Sequence, residues 1–167
     1  MSTLMTLLGP GVERTIGYAD LVTADIAASD FGRMYKTANS PAWCIGHLSI
    51  YPDRLMAAMG REDLMKVDEH HVELFSAGVD CKDDPDGKLY PAKDVLMARF
   101  RDRHGVLLDV LREVDDAVLA GETPNERVRP IFPTVGNLAS FLVTGHIMMH
   151  LGQISTWRRA MGLGPCM

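Results

Sequence analysis

The sequence predicts an all-α fold, a bundle of four amphipathic helices. Three observations carry the prediction. Apolar residues recur at three-and-four spacing in four long stretches, and no stretch alternates apolar and polar residues as a strand would. Start and stop residues bound these stretches: Ser40-Pro41 and Thr134 at beginnings, Gly60, Gly121 and Gly162 at ends. The 167 residues suit a single domain over 1–167 and are enough to bury a real core.

The first helix is expected from about Val12 to Ala28, on a stripe of Val12, Ile16, Ala19, Thr23 and Ile26. Before it, MSTLMTLLGPG lacks a basic leader region and is expected to break at Gly9-Pro10, unlike a signal peptide. Ser40 caps the second helix, and Pro41 suits its first position, where a missing N–H is harmless. Trp43, His47, Ile50, Leu55 and Met59 mark one side of it, and Pro52 must kink it or displace a hydrogen bond.

Arg61 to Tyr90 is a connection of about 30 residues, long for a compact domain. It reads as a lid or binding wall, with His70 and His71 as surface or lid residues. The third helix is expected from Pro91-Ala92 to about Ala120. Its apolar stripe runs from Leu96 to Val118, and Arg99, Arg101, Asp102, Arg103 and their neighbours form a solvated face with His104 among them. Gly121–Pro133 reads as a loop. The fourth helix follows Thr134, with Val135, Leu138, Leu142, His146, His150 (Met149 beside it), Ile154 and Trp157 on its stripe, and ends at Gly162. Arg158-Arg159 complements its C-terminus.

The fourth stretch carries the chemistry. His146 and His150 stand four apart, so they lie on one helix face, one turn above the other. They sit where a plain helix would carry Leu, and burying uncompensated rings there is costly. Either a metal ion or neighbouring carbonyls and carboxylates must satisfy them. HxxxH alone is a weak signal, and it lacks the Glu of HExxH. His47 holds the same kind of stripe position in the second helix. One inward His facing two others makes a tripod with an open fourth position, the arrangement of a catalytic zinc site that nickel or ferrous iron would also accept. Gln153, one turn below His150, can orient a ligand or simply join two helices. Cys44, three residues before His47, can be a fourth ligand, a nucleophile or an inert core thiol.

Composition narrows the function classes. Apolar residues make up 47%, charged residues 23%, and the net charge is −5 with no basic cluster, so nucleic acid is an unlikely partner. No apolar run reaches the ~20 residues of a membrane span. The three cysteines, Cys44, Cys81 and Cys166, are odd in number and far apart, which points to a reducing cytoplasm.

PAWCIGHLSI in the second helix and GHIMMHLGQISTWRRAMG in the fourth resemble the DinB/YfiT-like superfamily. Its pattern is a Trp shortly before Gly-His in helix two, and His-x-x-x-His-x-Gly-Gln with a downstream Arg and Gly in helix four. The resemblance covers nearly the whole chain. It implies a four-helix bundle with a long connection between helices two and three, and a divalent metal (Zn, Ni or Fe) on His47, His146 and His150. The family is functionally mixed. Some members resemble metal-dependent transferases for low-molecular-weight thiols, including a maleylpyruvate isomerase, and many have no assigned activity. For this chain the expectation is a metal-dependent thiol transferase or hydrolase acting on a small molecule, with Gln153 and Cys44 either behind the ligands or in contact with substrate, and a homodimer as the assembly. The alternative is a non-catalytic metal-binding or structural bundle.

Overall fold

A computed structural model describes residues 1–166. The described residues are helical with no β-strand, and four rods make the bundle. The first is α1 (Thr3–Thr23). The second is a bent pair, α2 (Pro41–Leu48) and α3 (Tyr51–Ala58). The third is α5 (Lys93–Glu113), preceded by the short α4 (Glu69–Phe75) and followed by α6 (Asp116–Ala120). The fourth is α7 (Val135–Phe141) continued by α8 (Ile147–Ala160). α8 packs on α1 and α2, and α5 packs on α1, α2 and α3. The core has two parts, one around Ile45, Phe100 and Trp157, the other around Leu55, Leu111 and Val143.

The expected caps are present. Ser40 Oγ accepts from the N–H of Trp43, and Thr134 forms a capping box with Asn137. Gly60 and Gly162 both follow helix ends with positive φ, 74° and 83°. Pro52 sits at the second position of α3, so the second rod bends at Ser49-Ile50. All eight residues of α2 are buried, which fixes His47 inside the bundle.

The first helix departs from expectation at both ends. It starts at Thr3, because Ser2 caps it, and it runs through Pro10 without breaking. Pro10 is exposed, while Met5 and Val12 on either side of it are buried in the core, and that packing outweighs the lost backbone bond. The helix ends at Thr23, five residues early. Lys93 Nζ donates to the carbonyls of Thr23 and Ile26, both at 2.7 Å, and so satisfies the frayed end. The third helix also stops early. Val114 turns extended, and Asp115 caps α6 by accepting from the N–H of Ala117. Val118 therefore leaves the stripe and is part-exposed.

Several side chains read as solvated are buried. Arg103 is 1% exposed and pairs with the buried Asp53 at 2.9 Å. Its Nη2 donates to the Leu64 carbonyl, and Asp53 accepts from the N–H of Lys66, so this pair pins the start of the long connection to the third rod. Arg158 is buried against Asp25 and the Val22 carbonyl and does not cap its own helix; Arg159 stays exposed. His71 and His104 are buried. Met149, placed beside the stripe, is half exposed. No described helix is long and apolar enough to cross a membrane.

Candidate metal centre

The fourth rod reaches the site through a change of pitch. Leu142–His146 form one π-helical turn between α7 and α8, with His146 at its end. Such single turns insert a residue into an α-helix and often mark functional sites. His150 follows one α-turn later, and α2 brings His47 opposite. The three side chains are 4%, 6% and 5% exposed for His47, His146 and His150. Their ring centroids are 4.7 to 5.3 Å apart, and each ring offers a nitrogen within 4.8 Å of the other two. The three rings named from the sequence therefore come together.

The surroundings decide which nitrogen is free. His47 Nδ1–H donates to the Phe75 carbonyl at 2.7 Å, and His150 Nδ1–H donates to Gln153 Oε1 at 3.1 Å. Both rings are thereby left with Nε2 as the lone-pair nitrogen, the usual way an outer partner sets a ligand's tautomer. His146 differs: its Nδ1 is buried with no hydrogen-bond partner. A metal ion would satisfy a polar atom that is otherwise costly to bury. Burial holds His47 neutral down to about pH 4 and His146 down to about 3, and it also lowers His150. Neutral imidazole is the ligand form. The residues present thus fit a divalent cation.

Gln153 ties the outer shell together. Its Oε1 also accepts from Asn39 Nδ2 at 3.4 Å and lies 3.5 Å from Cys44 Sγ. Cys44 is fully buried, and burial pushes its thiol far above the ordinary range, so it stays protonated and donates to Gln153. It lies behind the three-histidine cluster, on the side of Gln153. Gly46 has its own part: a Cβ there would lie 2.5 Å from the Phe75 ring. Only the missing side chain lets α4 close against α2, and that contact delivers the Phe75 carbonyl to His47. Trp43 stacks on His47 with centroids 4.8 Å apart, and Tyr51 meets both His47 and His146 edge-on.

A cavity of about 910 Å³ opens onto His146. One wall is the connection after α3, through Glu62, Met65 and Gly78. The other was not visible in the sequence: the Gly121–Pro133 loop supplies Thr123, Arg127 and Phe132. That loop is folded by Arg129, which donates to the Thr123 and Pro124 carbonyls and pairs with Glu122. Its proline and glycine content marked it as a loop but gave no sign of where it packs. Of the other histidines, His70 is exposed, while His71 and His104 each bond a backbone carbonyl, those of Gly46 and Phe100, both at 2.9 Å.

Fold and site together define a helical bundle with a buried three-histidine centre at the edge of a cavity. The family model of the DinB superfamily matches residues 19–154, and the chain belongs to that superfamily. Searches of the curated proteins and of the solved structures find no significant match.

Proposed function

We propose that this chain is a divalent-metal enzyme of the thiol-transferase or hydrolase kind, acting on a small molecule in the cytoplasm. The observation that carries the reading is the meeting of the histidine cluster with a 910 Å³ cavity through one shared residue, His146. A purely structural metal site is usually closed by four protein ligands, whereas three ligands beside open space suit a reactive position. His47, His146 and His150 would hold the ion, and with three neutral ligands it would supply a strong, uncompensated positive charge that eases loss of a proton from a thiol or water.

The chain's own residues do the rest. Phe75 and Gln153 keep the Nδ1 protons of His47 and His150 in place, so neither ring can turn its free nitrogen away. Trp43 and Tyr51 wedge the rings. Glu62 is the sole acidic residue on the cavity lining, and it is exposed. No buried carboxylate stands beside the three histidines among the described residues, which suits a thiol, acidic enough to need little help, better than a water that must be activated to cleave an amide. The alternative, a metal-binding bundle without catalysis, makes the same metal prediction. Untagged protein should first be assayed for retained Zn, Ni or Fe. The metal-loaded form should then be offered small thiols with electrophilic acceptors, and hydrolysable esters and amides. Turnover lost on chelation and in His146→Leu supports the enzyme reading. Metal at one per chain without turnover of any of these supports the alternative.

A further inference from the structure

The cavity contains more positive charge than the fold uses. Most cations of this chain are spent. Arg103 and Arg158 form buried pairs, Arg101 and Arg112 pair with surface carboxylates, and Lys93 caps α1. Arg54 and Arg127 are exceptions. Among the described residues neither has a carboxylate partner, and both line the cavity, one from α3 and one from the Gly121–Pro133 loop. Arg54 is held in place by a bond from Nη2 to Ser76 Oγ at 3.2 Å and by its position over the Tyr51 ring, 5.3 Å from the centroid. Arg127 donates from no side-chain nitrogen, whereas Arg129, two residues on, is fully engaged in holding the loop. Arg14, Lys36, Lys82 and Arg159 also lack a carboxylate partner among the described residues, and what sets Arg54 and Arg127 apart from them is that both line the cavity.

A second observation lies on the same wall. Thr123 is fully buried, and its hydroxyl has no hydrogen-bond partner. Its neighbours on the lining, Phe132, Leu138, Phe141 and Leu142, are apolar. The cavity therefore offers an apolar body site, two guanidinium forks and a single carboxylate, Glu62, with the Thr123 hydroxyl closed off within its wall. Two cations against one anion leave it net positive. Guanidinium groups bind carboxylates in a bidentate manner, and such charge-assisted bonds are about twice as strong as neutral ones.

Resting on the enzyme reading above, we infer that the substrate of this cavity is a small amphipathic monocarboxylate, its carboxylate held by Arg54 and Arg127 and its apolar body lying along Phe132 and Leu142 toward His146. The charged end and the reacting end are thus read by different residues. A neutral substrate of the same shape would leave both guanidinium groups unpaired and gain only from burial.

The test uses full-length, zinc-loaded protein and matched probes. Phenylacetate, 4-phenylbutyrate and octanoate are each compared with the corresponding amide by calorimetry, in low and in high salt. The wild type should prefer at least one acid over its amide by about tenfold, the discrimination expected of a charge-assisted pair. Arg54→Gln and Arg127→Gln should each remove most of that preference and leave amide binding unchanged. Arg127→Lys should restore part of it. Both arginines are exposed, so the variants should fold, and equal zinc content and equal melting confirm this in each sample. Acid and amide binding alike in every pair, or no binding of any probe, would overturn the inference. So would a preference for the acid that survives both substitutions. Metal content reports separately on the metal centre: a wild type that takes up no zinc, nickel or iron sinks the enzyme reading itself, whereas metal without acid preference sinks only this one.

Discussion

Five histidines of this chain are buried, and they divide into two sets. His71 and His104 each place one ring nitrogen on a backbone carbonyl and pack against a phenylalanine, Phe75 and Phe100. His47, His146 and His150 turn their free nitrogens toward one another. Burial does not separate the sets. It holds His47, His71 and His104 alike at about 4. What separates them is convergence: a structural histidine finds its partner in the backbone nearby, whereas the cluster has three like rings meeting and one of them, His146, short of a partner. A depressed histidine pKa is thus a sign of burial in this molecule, and only geometry points to function.

Substitution should break the comparison most visibly at the ligands. His150→Leu should lose metal retention after dialysis yet fold, because Leu suits the stripe and removes a buried polar ring. His104→Leu should keep one metal per chain and lose only stability, by about 1–2 kcal/mol. Metal at a thousandfold excess over its dissociation constant stabilises the folded state by ~4 kcal/mol. A chelator should therefore lower the melting temperature of the wild type and of His104→Leu by about 10 °C, and leave His150→Leu unmoved. Equal chelator shifts in both variants would erase the distinction.

The outer shell gives a smaller effect. Gln153→Leu removes the acceptor for His150 Nδ1 and should weaken zinc binding about 10- to 100-fold, read by competition with a calibrated chelator. Gly46→Ala drives a methyl into the Phe75 ring and should cost roughly 1–3 kcal/mol in denaturant melts. It should also weaken zinc, since the Phe75 carbonyl moves with the ring. An alanine that costs stability but spares zinc affinity would show that Phe75 does not set the His47 tautomer.

The smallest effect concerns pH and the structural set alone. The folded pKa of His104 is about 4, below the ~6.5 of an unfolded histidine, so the unfolded chain binds the extra proton first. Its contribution is complete above pH 6.5 and is lost as pH falls toward 4. With chelator present, His104→Leu should reduce the slope of stability against pH in that window by up to ~1.4 kcal/mol per pH unit. An unchanged slope would mean that His104 is not held neutral.

Much of this was legible in the sequence, and for physical reasons. Caps act locally, so Ser40, Thr134, Gly60 and Gly162 could be assigned from their neighbours alone. The cluster of His47, His146 and His150 was legible because polar rings at apolar stripe positions need an explanation. Other features depend on distant residues. Pro10 is tolerated because Met5 and Val12 are packed by other helices. Arg103 is buried because Asp53, fifty residues earlier, faces it. The π-helical turn leaves no mark in LVTGH that a period count would find. The backbone acceptor of His47 belongs to Phe75, and a carbonyl has no sequence signature at all. The second cavity wall was missed for the same reason, since Arg127 and Thr123 are ordinary loop residues until the loop is placed.

The account turns on one claim, that three imidazoles hold a single ion. X-ray absorption at the zinc edge of the untagged, dialysed chain tests it most directly. The account predicts about one zinc per chain with three imidazole nitrogens at ~2.0–2.1 Å and no sulfur, and loss of that signal in His146→Leu. A chain that retains no zinc, nickel or iron, or a first shell with sulfur at ~2.3 Å from Cys44 or Cys81, would contradict it.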